Sequence, residues 1–60
     1  MNIGDLVQVK NNPDHIGLVT CLDYENGYDW ITIQWITGGE SALMLTRIPM
    51  ESAKHLEVIQ

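Results

Sequence analysis

The segment that decides the fold is Trp30-Ile31-Thr32-Ile33-Gln34-Trp35-Ile36. Its β-branched and aromatic residues favour a pleated strand, and the period of two places Ile31, Ile33 and Trp35 on one face. The segment therefore predicts a strand with one buried face. Asn26-Gly27, a few residues earlier, suits the positive φ angles of a tight hairpin turn, so the chain reverses just before this strand.

Two more strands are predicted before the hairpin. In residues 6–10, Val7 and Val9 alternate with the polar residues Gln8 and Lys10, and the segment closes at the turn-forming cluster Asn11-Asn12-Pro13-Asp14. Residues 16–22 are rich in β-branched and apolar side chains, and Gly17 among them indicates a bulge or a close approach of the backbone. The second of these strands would lead directly into the hairpin.

The second half of the chain continues the same pattern. Thr37-Gly38-Gly39-Glu40 is a turn signal, and residues 41–47 predict a fourth strand with Leu43 and Leu45 on a common face. The helix formers in residues 42–45 leave a short helix as the alternative, although an uncapped helix of that length is marginal. Pro49 should end regular structure near Ile48. Residues 50–54 then predict one helical or 3₁₀ turn, and residues 55–59 a fifth short strand.

Five short strands joined by close turns predict an all-β small barrel, because closure removes the exposed edges of a small open sheet. The 60 residues form a single domain, 1–60, since typical domains begin near ~50 residues. The alternation within the strands predicts a core of Val7, Val9, Leu18, Ile31, Ile33, Trp35, Leu43, Leu45, Leu56 and Val58.

Charge and composition exclude several classes of function. Eight acidic residues against three basic ones give a net charge of -5. A negative net charge disfavours binding to the phosphates of nucleic acids. The longest uncharged run, residues 30–39, is about half of the ~20 residues that a membrane span needs. The amino terminus has no basic region followed by an apolar run, so we expect no secretory signal and a cytoplasmic protein.

The residues that could carry catalysis do not form a recognisable motif. His15 and His55 lie forty residues apart without a third ligand, which favours surface or packing roles over a zinc site. Cys21 is a possible nucleophile, but its position in an apolar strand favours a small buried hydrophobe, and a single cysteine excludes an internal disulfide. No phosphate-binding loop or nucleophile elbow occurs. We therefore expect no enzyme, no cofactor and no metal.

The residues around the hairpin form the candidate binding site. Three aromatic residues alternate there with three carboxylates: Tyr24, Tyr28 and Trp30 with Asp23, Glu25 and Asp29. Aromatic faces attract cations and nearby carboxylates add Coulombic attraction, so the hairpin could receive a lysine, an arginine or a methylated ammonium group. The alternative is structural, because tyrosine and tryptophan also pair across hairpins and cover the end of a small core.

The order of these pieces resembles the SH3-like small barrels. The resemblance is carried by Gly4-Asp5-Leu6-Val7-Gln8-Val9, by the glycine in His15-Ile16-Gly17-Leu18-Val19, by the two hairpins, and by the proline-bearing turn before Leu56-Glu57-Val58-Ile59. Within that group the first half is similar to KOW and Tudor-type barrels. The chain also resembles stand-alone small barrels that bacteriophage and environmental genomes encode. The resemblance covers nearly the whole chain and supports fold more than function.

The two subfamilies imply different partners. The Tudor-type likeness nominates Tyr24, Tyr28 and Trp30 as an aromatic cage, which implies a basic protein or peptide partner. The KOW likeness implies nucleic-acid or ribosome-associated binding around Gly17, but the neighbours there are acidic or neutral, and the chain's cations are Lys10, Arg47 and Lys54. The sequence thus favours a protein-binding module, with nucleic-acid binding as the alternative.

Self-association is the last expectation. A core of this size supplies only about 3–5 kcal/mol, and association would stabilise it. Strand alternation places several apolar residues on the outer faces: Leu6, Val19, Trp30, Ile36, Met44 and, just beyond strand four, Ile48. Trp30 and Ile36 share the outer face of one strand. The sequence therefore predicts a homo-oligomer, in the first instance a two-fold dimer, joined through that face.

Overall fold

The computed structural model describes residues 1–37 and 45–60. In this part of the chain the fold is all-β, a five-stranded antiparallel sheet with one 3₁₀ helix before the last strand. The elements, in chain order, are β1 (Leu6–Val9), β2 (Asn12–Glu25), β3 (Tyr28–Trp35), β4 (Leu45–Pro49), the 3₁₀ helix (Met50–His55) and β5 (Leu56–Val58).

The strands are arranged in the order β4-β3-β2-β1-β5. The 14-residue β2 serves both halves of the sheet, since its first part pairs with β1 and its second part with β3. Within the described residues β4 and β5 are the two edges and do not pair with each other, so the sheet is open. The five strands are confirmed, whereas the predicted closure into a barrel is not.

The hairpin turn between β2 and β3 is confirmed at Asn26-Gly27. Asn26 has φ 56° and Gly27 has φ 83°, so both central residues adopt the left-handed conformation that a two-residue hairpin turn requires. Asparagine and glycine tolerate this conformation best. The turn fixes the register of the long hairpin, in which Glu25 lies opposite Tyr28 and Gly17 opposite Trp35.

The core lies on the inner face of the sheet beneath the 3₁₀ helix, which contacts β3, β4 and β5. Trp35 Nε1 donates a hydrogen bond to Thr46 Oγ1 at 2.8 Å, so the polar atom of this large ring is satisfied. Five predicted core residues are confirmed, and Val9 packs against the core while partly buried. The buried set is Val7, Val19, Ile31, Ile33, Trp35, Ala53 and Leu56.

The predicted inner face of β2 is wrong. Val19, expected outside, is fully buried, and Leu18, expected in the core, is half-buried on the outer face. The reason is Gly17, which lies on the inner face where the ring of Trp35 occupies the space of a side chain. A Cβ at Gly17 would lie 2.8 Å from Trp35 Cε3. Of the two expectations for this glycine, a close approach is observed, and it is made by the side chains of Trp35 and Ile33.

An irregularity in β2 corrects the expectation for Cys21. The register of β2 against β3 shifts between Val19 and Cys21, so Thr20 is an extra residue and the alternation of sides starts again after it. Cys21 then lies on the outer face and is exposed. The expectation that it is a buried core residue is wrong.

The predicted faces of strand four are also reversed. Thr46 pairs with Ile33 and Ile48 pairs with Ile31, and residues directly opposite each other share a face. Ile48 therefore packs against the core, and Leu45 is 62% exposed. β4 ends at Pro49, one residue beyond the end expected near Ile48. The predicted turn at residues 37–40 lies outside the described residues beyond Thr37, and so do Leu43 and Met44. The alternative short helix at 42–45 also lies outside them, except for Leu45, which is in β4.

The remaining boundaries differ modestly from the sequence pattern. The 3₁₀ helix confirms the predicted turn, and β5 is confirmed with three residues. Val58 is 48% exposed at the sheet edge, so its place in the predicted core is wrong. β2 begins at Asn12, and the turn expected across residues 11–14 is therefore shorter than predicted.

Candidate functional site at the β2–β3 hairpin

The six residues nominated from the sequence lie together at the end of the hairpin but on two faces. Tyr24 lies opposite Asp29, one step beyond the pair formed by Leu22 and Ile31, and therefore on the inner side. The other four residues form the adjacent pairs on the outer side: Asp23 with Trp30, and Glu25 with Tyr28. The hairpin thus offers two separate groups of aromatic and acidic side chains.

The outer group holds a cation from β4. The guanidinium of Arg47 lies over Trp30, with Cζ 4.4 Å from the ring centroid. Its Nη2 donates to Asp23 Oδ2 at 2.7 Å, and Nη1 lies 3.7 Å from Glu25 Oε1. Trp30 Nε1 in turn donates to the Glu25 carbonyl at 3.0 Å, which fixes the ring beneath the cation. Four side chains from three strands therefore form one network.

The hydrogen bond from Arg47 to Asp23 raises the pKa of the guanidinium, and the charges of Asp23 and Glu25 act in the same direction. Arginine already titrates far above neutrality, so the cation over Trp30 is present throughout the physiological range. The cation–π contact expected for this hairpin is thus made within the chain, by a side chain of its own.

The three aromatic rings do not share one cage. Tyr24 is 71% exposed on the inner side, and Tyr28 is 56% exposed on the outer side. Trp30 is half-buried and covered by Arg47. An ammonium group contacting Tyr24 therefore meets a different surface from one contacting Tyr28.

The inner side of the hairpin borders an open depression of about 380 Å³, which we call the hairpin depression. Leu22 and Met50, both partly buried against the core, provide apolar surface in it. Asp29 is exposed, and its side chain makes no hydrogen bond or ion pair with the described residues. No lysine or arginine of residues 1–37 and 45–60 lines the depression. Its lining consists of Leu22, Asp23, Tyr24, Asp29, Trp30 and Met50.

Sequence reasoning missed three residues of this site. The sequence places Leu22 in a strand and Met50 in a helical turn, and it identifies Arg47 only as one of three basic residues. It indicates no binding role for any of them. Arg47 reaches the hairpin because Thr32 pairs with it across β3 and β4. The sequence does contain one indication of Arg47. The chain has only three lysine and arginine residues, so each of them is a candidate partner for the acidic hairpin.

The other candidates for chemistry lie apart from this site. His15 packs edge-on against Trp35 with ring centroids 4.2 Å apart, and its Nε2 is enclosed without a hydrogen-bond partner among residues 1–37 and 45–60. His55 is exposed at the end of the 3₁₀ helix. Among the described residues, no three histidine, cysteine or carboxylate side chains are grouped as metal ligands would be. The same residues include no helix with the length and apolar character of a membrane span.

Comparison of the chain with protein-family models, with curated proteins and with solved structures found no match.

Proposed function

We propose that this protein is a non-enzymatic interaction module that binds a lysine side chain of a partner protein in the hairpin depression. One observation carries the proposal: apolar surface from Leu22 and Met50 lies beside the carboxylate of Asp29, which has no described partner. A volume of about 380 Å³ is at the lower end of the ~300–1,000 Å³ typical of ligand sites, which suits one long side chain.

Lysine matches the two kinds of surface in the depression. Its four methylene groups can lie along apolar side chains while the charged end stays at the rim, as lysine does elsewhere on protein surfaces. Leu22 and Met50 would contact the methylenes. The ammonium group would meet Asp29 and the face of Tyr24, which lie directly opposite each other in the hairpin.

The arrangement favours an unmodified ammonium group over a methylated one. Recognition of a trimethylated ammonium depends on several aromatic faces enclosing it. Tyr28 lies on the other face, and Trp30, although it lines the depression, already has Arg47 over its ring, so Tyr24 and part of Trp30 are too few aromatic faces to enclose a cation there. A free carboxylate, by contrast, accepts the hydrogen bonds that an unmodified ammonium donates and a trimethylated one does not.

Charge supports a basic protein partner rather than nucleic acid. The net charge of -5 attracts a basic segment and accelerates its encounter with the hairpin. The KOW-like alternative requires cations for phosphate contacts. Of the three basic side chains, Arg47 is held by Asp23 and Trp30. Lys10 and Lys54 lie on neighbouring segments, since Lys10 N donates to the His55 carbonyl at 2.9 Å, but two lysines supply few phosphate contacts.

A peptide titration tests the proposal. A short peptide with a central lysine is titrated into labelled protein, followed by amide chemical shifts, and compared with the same peptide carrying norleucine, which keeps the methylenes and lacks the charge. We expect shifts around Tyr24, Asp29 and Met50 with the lysine peptide. Asp29→Asn should weaken binding about two- to fivefold, as expected for an exposed ion pair of ~0.5–1 kcal/mol. Glu57→Gln removes the same charge from β5 and should leave binding unchanged.

The outcomes separate the partner classes. Equal binding of the lysine and norleucine peptides, or equal loss in Asp29→Asn and Glu57→Gln, would overturn the lysine site. Tighter binding of a trimethyl-lysine peptide would assign the site to methylated ligands instead. Salt-sensitive binding of mixed oligonucleotides, with no response to the lysine peptide, would establish the nucleic-acid alternative.

A further inference from the structure

Apolar side chains line up across the outer face of the sheet, away from the core and from the hairpin depression. The pairing places Leu6 opposite Leu18, Leu18 opposite Gln34, and Gln34 opposite Leu45. Residues that face each other across strands share a side, so these four side chains form one row over β1, β2, β3 and β4. We call it the leucine row.

Two isoleucines widen the row. Ile16 lies opposite Gln8 in β1, and Ile36 N donates to the Ile16 carbonyl at 2.8 Å, continuing the register of β2 and β3. Ile36 is 49% exposed and Leu45 is 62% exposed, and the other apolar members are half-buried. The charged side chains of the outer face lie beside this patch rather than in it: Arg47 with Asp23 and Glu25 toward the hairpin, and Glu57 bonded to Gln8 toward β5.

We propose that the protein forms a two-fold homodimer in which the leucine row of one chain packs on the leucine row of a second copy. The inference does not depend on the lysine site, which lies on the inner side of the hairpin. The centre of the proposed interface also differs from the one expected from the sequence. Trp30, expected in the interface, is covered by Arg47, and the centre of the row is Gln34.

Gln34 argues for a copy of the same chain as the occupant. Its side-chain amide has both a donor and an acceptor, so two such amides facing each other across a two-fold axis can satisfy one another. Within the chain its Nε2 makes a long contact of 3.4 Å to the Trp35 carbonyl. A purely apolar partner would leave this amide without hydrogen bonds in a desolvated interface, which is costly.

The charge distribution permits two acidic chains to meet here. Each chain carries -5, but the leucine row and its flanking isoleucines contain no ionisable side chain. Repulsion between carboxylates elsewhere is screened over distances beyond ~8 Å at physiological ionic strength. A second copy can therefore pack on the leucine row without placing carboxylates directly against each other at its centre.

The dimensions of the molecule fit this contact. A stable interface of ordinary size buries about 800 Å² on each partner. The described chain exposes 4007 Å² and measures 32 × 19 × 18 Å, so such an interface corresponds to roughly one broad face of the sheet. Two sheets stack face to face about 10 Å apart, which brings the row of one copy into contact with that of the other.

Mass measurement by light scattering after size exclusion gives the first test. At micromolar to millimolar concentration we expect twice the 6.8 kDa mass of one chain. Leu45→Lys should give a monomer that keeps its fold, because this side chain is already exposed. Tyr28→Lys makes the same change of charge at another exposed residue, about 20 Å along β3 from Gln34 at ~3.3 Å per residue, and should remain dimeric. A monomeric wild-type protein, or dissociation by Tyr28→Lys and not by Leu45→Lys, would overturn the proposal.

Cross-linking tests the position of the axis. In a Cys21→Ser background, Gln34→Cys places a thiol at the centre of the row, and Glu51→Cys places one on the exposed 3₁₀ helix. A bismaleimide with a spacer of about 10 Å should link Gln34→Cys into a covalent dimer, because facing Cα atoms of two stacked sheets lie about 10 Å apart, beyond the ~7 Å that a disulfide spans. Glu51→Cys should stay unlinked under the same conditions. Equal cross-linking rates for the two variants would show random collisions between chains and would contradict an axis at Gln34.

Discussion

Arg47 lies over the ring of Trp30, 4.4 Å from its centre, and bonds to the carboxylate that faces Trp30 across the hairpin. One of the three basic side chains of an acidic protein is thus held on the aromatic residue that the sequence nominated for a partner's cation. A side chain of the protein itself therefore occupies the outer side of the hairpin, and the proposed lysine site lies on the inner side.

Removing this internal cation should open a second surface for basic ligands. In Arg47→Gln, Trp30 and the two carboxylates beside it become accessible, and we expect the lysine peptide to bind about two- to fivefold more tightly, as one exposed cation–π contact of ~0.5–1 kcal/mol implies. Isothermal titration measures the difference. Lys54→Gln changes the net charge by the same amount on the 3₁₀ helix, so an equal gain there would contradict a local effect.

Gly17 should not accept a side chain. A Cβ at this position meets Trp35 and Ile33 on the inner face, so Gly17→Ala should lower the free energy of unfolding by about 3 kcal/mol or more through overpacking. Gly27→Ala is the matched control, since Gly27 has φ 83° and no atom within 4 Å of an added Cβ. It should cost about 1–2 kcal/mol from backbone strain alone. Urea unfolding gives both values, and a smaller loss at Gly17 than at Gly27 would contradict the packing.

Neighbouring residues of β2 should respond in opposite ways to truncation. Val19 is 1% exposed, and Val19→Ala should cost about 2 kcal/mol for two lost methyl groups and the cavity they leave. Leu18→Ala removes more atoms but from the outer face, and should cost less than about 1 kcal/mol. Both are compared by urea unfolding at concentrations low enough to keep the chain monomeric. The reverse order of losses would show that the inner face of β2 carries Leu18.

These residues also mark how far the fold follows from the sequence. β3 and the Asn26-Gly27 turn were predicted because one face of β3 is uniformly large and apolar and the dipeptide matches a specific turn conformation. The inner face of β2 was not, because Leu18 and Val19 are both apolar and alternation alone does not choose between them. Gly17 decides the choice through the bulk of Trp35, a residue eighteen positions later, and the extra residue at Thr20 then turns Cys21 outward.

The candidate site was predicted in composition and not in arrangement. The nominated aromatic and acidic residues do gather at the hairpin, since they are close in sequence. Their division between two sides follows from cross-strand pairing, which places Tyr24 with Asp29 and Trp30 with Asp23. Arg47 and Met50 join them only through the pairing of β4 with β3, a long-range relationship that no short motif records.

The position of β1 between β2 and β5 has a kinetic consequence. Its contacts with β2 close a short loop, whereas Gln8 bonds to Glu57 across a separation of 49 residues. Closing a long loop costs entropy before its contacts stabilise anything, and sheets with such distant pairings fold more slowly than those with local ones. We therefore expect the β2–β3 hairpin to form early and the three-residue β5 to dock last. We also expect β5 to be the first strand to detach when the native protein opens transiently. Its detachment would expose β1 to proteases before the rest of the sheet unfolds.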